Sequence, residues 1–208
     1  MLVADFHVQP IHLHKTNVEE LLHFLNQLSP IRDETWNRLR PLFKQVNLKK
    51  GQFFIKAGQA ATQIGFLQEG IIRVFYRNNK GDEYNKHFFM PPCFIGGYSA
   101  LVTGTLNQIN QEALTDCIVW VAEYKNLIRL YDECPDLERA NRRLAELFFA
   151  AKEQREIEIV TLDADERYRL LQQEFPMLEQ QIPQYHIASY LGVSATQLSR
   201  IRRKLSQS

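Results

Sequence analysis

Residues 184–205 read Gln184-Tyr185-His186-Ile187-Ala188-Ser189-Tyr190-Leu191-Gly192-Val193-Ser194-Ala195-Thr196-Gln197-Leu198-Ser199-Arg200-Ile201-Arg202-Arg203-Lys204-Leu205. Ile187 and Leu191 lie four apart and give one apolar helix face. Gly192 supplies a sharp turn, and Ser194 with Gln197 three residues on has the spacing of a capping box. Leu198, Ile201 and Leu205 then recur at helical spacing and can pack back onto the first helix. The pattern is a helix-turn-helix, the unit that lays its second helix in a DNA major groove.

Charge supports that reading. Between Gln180 and Ser208 there is no Asp or Glu, yet Arg200, Arg202, Arg203 and Lys204 are present. The whole chain carries a formal charge of only +1, so the basicity is local. A local cationic helix face is an electrostatic footprint for phosphates. The remaining composition is that of a soluble globular protein, 45% hydrophobic and 24% charged over 208 residues, enough for one large domain or two small ones. No apolar run approaches the ~18 residues needed to cross a membrane, so no membrane is expected as a partner. The start lacks the basic-then-apolar order of a secretory signal, and a cytoplasmic location is expected. Cys93, Cys117 and Cys134 are odd in number and widely spaced, with neither disulfide nor metal-ligand spacing. His7, His12 and His14 sit in a segment without periodicity and read as a tail rather than a metal site; His87 reads as structural. No nucleophile–base set emerges, so no enzyme, cofactor or metal is expected.

Upstream of the decisive stretch, the texture changes twice. Asn17 is placed to cap a helix bearing Leu21, Leu22, Leu25 and Leu28, broken by Ser29-Pro30. Asp33 is placed to cap a second, bearing Trp36, Leu39 and Phe43. From Val46 to about Tyr124 short apolar or alternating runs are separated by turn signals, including the hairpin turn Asn78-Asn79-Lys80-Gly81-Asp82. Short strands at regular spacing argue for an antiparallel sandwich or barrel. After Pro135 the pattern turns helical for about 25 residues, with Leu137, Ala140, Leu144, Leu147, Phe148 and Ala151 on one seam. Such a seam suits a core helix or a dimer helix; between a β domain and a single reading unit, dimerisation is favoured, because two-fold reading needs a two-fold interface. Thr161-Leu162-Asp163 opens a further helix ended by Pro176.

A β-sandwich, a long helix and a C-terminal helix-turn-helix, in that order, resemble the Crp/Fnr family of bacterial transcription regulators. The carriers are Phe94-Ile95-Gly96, Cys134-Pro135-Asp136 at the head of the long helix, and Ile187 to Leu205. The resemblance implies an α+β chain: a jelly-roll, cyclic-nucleotide-binding-like domain over residues 17–134 after a tail at 1–16, a dimerisation helix at 135–161, and a helix-turn-helix domain at 162–208. It implies a homodimer on palindromic double-stranded DNA, with RNA polymerase and a small-molecule effector as further partners. Carried onto this sequence, the base-contacting places fall on Ala195, Thr196 and Arg200. Tyr185, Ser194, Gln197, Ser199, Arg202, Arg203 and Lys204 are placed to support the helix or meet the DNA backbone, and His186 to approach it too.

The departures concern the effector and the wing. Where the family's phosphate cassette has Gly-Glu and then Arg-Ser, this sequence has Gly96-Gly97 and Asn107-Gln108. The ribose acceptor has become Gly97 and the phosphate cation Asn107, and each lost charge-assisted contact costs about 1.5–3 kcal/mol. Cyclic nucleotide is therefore not the expected ligand; should one bind, Arg73 is the basic residue left for its phosphate. Phe175 to Ile182 is too short for much of a hairpin, and only Ser206-Gln207-Ser208 follow the last helix, so no wing is expected. The competing expectation is a small-molecule sensor whose DNA-binding domain is weak or vestigial.

Overall fold

A computed structural model describes residues 18–206; Asn17, the tail at 1–16 and its three histidines lie outside the described residues. Helix α1 (Glu19–Leu28) buries Leu21, Phe24, Leu25 and Leu28 on one stripe and stops before Pro30. Helix α2 spans Asp33–Leu39. Its N-cap is Arg32, not Asp33, which stands in the first turn. A 3-10 turn at Arg40–Leu42 contains Pro41, which cannot continue an α-helix, so Phe43 falls beyond α2 rather than on it.

Eight strands follow: β1 (Lys44–Leu48), β2 (Phe53–Ile55), β3 (Gln63–Glu69), β4 (Ile72–Arg77), β5 (Glu83–Phe89), β6 (Cys93–Ile95), β7 (Asn110–Ala113) and β8 (Cys117–Glu123). They form two antiparallel four-stranded sheets, ordered β1-β8-β3-β6 and β2-β7-β4-β5. Leu67, Ile72, Ile95, Ala113, Val119 and Val121 fill the space between the sheets, with Phe54 and Phe89 packed against them. Five consecutive residues of β3 are buried, because α1 covers its outer face: the Phe24 ring lies 5.5 Å from Phe66 and 5.8 Å from Phe94. Coverage on both faces is why this strand reads as an apolar run rather than an alternation.

Helix α3 (Tyr98–Thr103) bridges β6 to β7, and α4 (Tyr124–Ile128) follows β8. The sequence reading has no helix at α3, since six residues between glycines carry too little periodicity to register. Helix α5 runs from Pro135 to Thr161. Asp136 in its first turn accepts hydrogen bonds from the Arg32 main chain (2.8 Å), the Arg32 guanidinium (3.2 Å) and the Thr35 hydroxyl (2.9 Å). Burial opposes its charge, but those donors hold its carboxyl well below the usual carboxylate range. This cluster ties the start of α5 to α2.

Helices α6 (Ala164–Glu174), α7 (Leu178–Gln181), α8 (Gln184–Leu191) and α9 (Ala195–Leu205) complete the chain. Asp163 caps α6 in a reciprocal capping box with Glu166. The segment between Phe175 and Ile182 is one helical turn, not a hairpin. The core of these four helices is continuous with the β domain. Tyr168, Leu171, Phe175, Leu178, Ile187, Leu191, Leu198 and Ile201 share one cluster with Ile71, Phe88 and Leu114 of the β domain.

Candidate functional site

The α8–α9 unit is built by local chemistry. Gly192 takes the left-handed conformation (φ 68°), and the turn closes with Val193 N–H donating to the Ala188 carbonyl and Gly192 N–H to that of Ser189. Ser194 Oγ then accepts from Gln197 N–H at 3.1 Å, while Gln197 Oε1 accepts from Ser194 N–H at 2.9 Å. Leu198 and Ile201 turn inward onto the common core, and Leu205 packs beside them. At 3.6 residues per turn, Thr196, Ser199, Arg200 and Arg203 occupy the opposite face, and all four are exposed. Ala195 and Gln197 flank that face and are exposed as well.

The four cations differ in surroundings. Among the described residues, no carboxylate pairs with Arg200 or Arg203. Lys204 Nζ lies 2.5 Å from Asp165 on α6, and half-buried Arg202 lies 3.7 Å from Glu179, which also accepts from Tyr168. Both partners come from outside the basic stretch, so nothing in the local pattern announces them. Tyr185 is exposed at the start of α8. His186 beside it is only 4% exposed and faces the β domain, so the expected approach to the DNA backbone is corrected: its ring has no access to solvent on that side.

Gly96 and Gly97 lead into α3, and Asn107 packs against Gly97. Gly97 is the N-cap of α3, and a Cβ added there would lie 2.7 Å from Asn107 Oδ1. Asn107 is buried, and its side-chain amide donates to the carbonyls of Lys56 and Ile109. Its main chain bonds both ways with the 58–59 turn, Gly58 N–H donating to its carbonyl and its own N–H to that of Gln59. Asn107 therefore stitches loops together instead of facing a ligand. Gln108 is exposed, with its amide on the Leu106 carbonyl. Arg73 is no substitute cation for a phosphate: it is buried, with Glu112 and Glu83 each 2.5 Å from its guanidinium.

Helix α5 departs from the expected seam. Leu137 (1% exposed) and Ala140 lie in the chain's own core against α1 and α2, and Leu144 and Leu147 pack onto the same cluster. Leu137 and Ala140 are thus corrected: they hold this helix to its own domain and offer nothing to a partner. Ala151 is half-buried. Farther along, the Arg155 guanidinium sits 4.1 Å over the Tyr190 ring and donates to the Tyr190 carbonyl, on the side turned to α8. The large apolar residues left outside are Phe148, Phe149 (69% exposed), Ile157, Ile159 and Val160 (84% exposed). At about 100° per residue, Ala145, Phe149, Lys152, Glu156 and Val160 share a stripe roughly 140° around the helix from the buried seam.

Among the described residues no group of three or more His, Cys, Asp or Glu is arranged to hold a metal ion, and no helix is long and apolar enough to cross a membrane. Residues 45–134 match the cyclic nucleotide-binding domain family. The comparison with curated proteins finds no match. Among solved structures, FixK2 from Bradyrhizobium japonicum superposes with a TM-score of 0.65 at 18% identity, covering 79% of this chain and 85% of that one. The c-di-GMP-responsive global regulator CLP of Xanthomonas campestris gives 0.63 at 15% identity, covering 85% and 92%. A transcriptional regulator of the Crp/Fnr family from Eubacterium rectale gives 0.64 at 15% identity, covering 85% and 84%. The β domain thus matches the cyclic nucleotide-binding family, and the chain as a whole has the fold of the Crp/Fnr transcription regulators.

Proposed function

We propose that the protein is a sequence-specific DNA-binding transcription regulator that acts as a homodimer on a palindromic site without cyclic AMP. The observation that carries this is α9: a capped helix whose outer face offers Thr196, Ser199 and Arg200 in its first two turns and Arg203 behind them. Arg200 suits a guanine, since its fork matches the O6 and N7 acceptors, and Thr196 a thymine methyl. Ala195 stands beside them and offers apolar contact only. Phosphate contact by Arg203, and to a smaller extent by the ion-paired Lys204 and Arg202, fixes register without reading sequence. Binding-site selection on random duplexes tests the proposal: a palindromic consensus is expected, and uniform retention of all sequences overturns it.

The dimer is assigned to the outer stripe of α5, around Phe149 and Val160, rather than to the seam at Leu144. Exposed aromatic and branched side chains on a long helix support this. Phe149→Glu is expected to give folded monomers by sedimentation, whereas Leu144→Glu would disturb the packing of α5 on α1. A dimeric Phe149→Glu variant overturns the assignment. Neither cyclic AMP nor cyclic GMP is expected to bind, because Asn107 is committed to two carbonyls and Arg73 to two carboxylates. Calorimetry checks this, and a micromolar dissociation constant for either nucleotide refutes it.

A further inference from the structure

The helix-turn-helix is more than tethered to the β domain; its first helix is seated on β5. Ser189 Oγ on α8 donates to the Glu83 carbonyl (2.9 Å) and accepts from Asn85 N–H (3.0 Å), closing the open edge of β5. Asn85 Nδ2 donates to the His186 main-chain carbonyl at 2.8 Å. The His186 ring completes the junction. Its Nδ1 faces two donors, Arg73 Nη1 and Asn85 Nδ2, each at 3.4 Å. Only a neutral imidazole with its proton on Nε2 can accept there. Apolar contacts from Phe88 to Phe175 and Tyr190 surround this polar centre.

We propose that this junction is a proton-operated latch, in which protonation of His186 releases the helix-turn-helix unit from β5. A proton on Nδ1 would remove the acceptor and set a second cation against Arg73. Among the described residues no carboxylate at the junction is spare to absorb it: Glu112 is engaged by Arg73, and Glu83 by Arg73 and Arg77. Glu83 favours the imidazolium, while Lys50 from the turn before β2 opposes it, and the Tyr185 ring lies 4.2 Å away. Burial first, and the Arg73 charge second, lower the His186 pKa to about 4. His87 on β5 lies at the same junction between the Phe89 and Phe175 rings, facing Lys86 and Arg155, and burial lowers its pKa to about 4 as well.

The sign follows from linkage. A histidine with a lowered pKa in the docked state binds its proton more readily when released, so docking is strongest above the ordinary histidine pKa and weakens as pH falls below it. Between pH 7.5 and 5.0, a histidine of ordinary pKa ~6.5 in the released state and about 4 in the docked state shifts the equilibrium about 30-fold towards release. The latch rests on the function proposed above only in what the released unit does; docking itself is read without DNA.

The test is hydrogen exchange at the Asn85 amide, whose partner is Ser189, with rates divided by the intrinsic rate at each pH. Protection in the wild type is expected to fall about 30-fold from pH 7.5 to 5.0, and His186→Gln, which can accept from Arg73 but does not titrate, to lose about that factor from the fall. An unchanged fall in His186→Gln, or a fall under about threefold in the wild type, overturns the latch. Should His186→Gln fail to fold, the NMR titration of the His186 ring in the wild type decides. A neutral Nε2–H tautomer persisting through pH 5 supports the latch, and a midpoint near the ordinary histidine value refutes it.

Discussion

Helix α9 and the cassette around Asn107 use polar side chains in opposite ways. On α9, Thr196, Ser199 and Arg200 point to solvent, because Leu198 and Ile201 have taken the inward face and Ser194 with Gln197 has satisfied the helix start. At the cassette, Asn107 points inward and spends its amide on the carbonyls of Lys56 and Ile109. One region keeps its hydrogen-bonding capacity for a partner; the other has consumed it in holding its own loops. Recognition depends on which polar groups remain after the fold has satisfied itself, and residue type alone does not report that.

The largest effect that can break this comparison is on α9. Arg200→Ala is expected to cost about 1–3 kcal/mol per half-site and to relax sequence choice at one position, since a bidentate fork to a guanine is lost. Affinity on a selected palindrome and the consensus reselected with the variant measure both. A variant that keeps wild-type affinity and consensus would mean that the outer face of α9 is as inert as the cassette.

The cassette is expected to fail through packing instead. A Cβ at Gly97 would press on Asn107 Oδ1 at 2.7 Å, and the two carbonyl contacts keep that side chain from moving aside. Gly97→Ala is expected to destabilise by about 1–3 kcal/mol, the range for overpacking. Asn107→Ala is expected to destabilise by about 0.5–1.5 kcal/mol, as the part-buried carbonyls of Lys56 and Ile109 each lose a donor. The double variant should cost less than the sum by at least about 0.5 kcal/mol, because the clash then has no partner. Denaturant melts of the four proteins give the cycle. Strict additivity would show that Gly97 and Asn107 do not constrain one another.

These two regions were unequally legible in the sequence. The turn, cap and apolar spacing of α8–α9 are set within a dozen residues, so Gly192, Ser194 and Leu198 could be placed without any tertiary information. The sandwich was legible for the same reason, from the hairpin turn at residues 78–82 and the runs on either side of it. Contacts made across long separations were not legible. Leu137 looks no different in sequence from Phe149, yet α1 covers the first and leaves the second exposed. His186 looks like a flanking polar residue until β5 buries it more than a hundred positions away. In sequence Asn107 is a departure from a phosphate-binding pattern, and only its partners at residues 56–59 and 109 explain what it does instead.

The smallest effect separates cations on the same helix. Arg203 stands on the outer face with no carboxylate partner among the described residues, whereas Lys204 is held by Asp165 at 2.5 Å. Both count equally in a net-charge view of α9, and geometry says they should not. A side chain that neutralises one phosphate contributes about 0.9 to the slope of log affinity against log salt on duplex DNA. Arg203→Ala is expected to lower that slope by about this much per half-site while leaving the consensus unchanged. Lys204→Ala should lower it by less, because its charge is already balanced by Asp165. Asp165→Asn sharpens the point: with that carboxylate gone, less of the Lys204 charge is balanced within the chain, and the slope should rise above that of the wild type. Salt titrations of the four proteins on one selected duplex decide it. If Arg203→Ala and Lys204→Ala reduce the slope equally and Asp165→Asn leaves it unchanged, the ion pair with α6 does not tune phosphate contact.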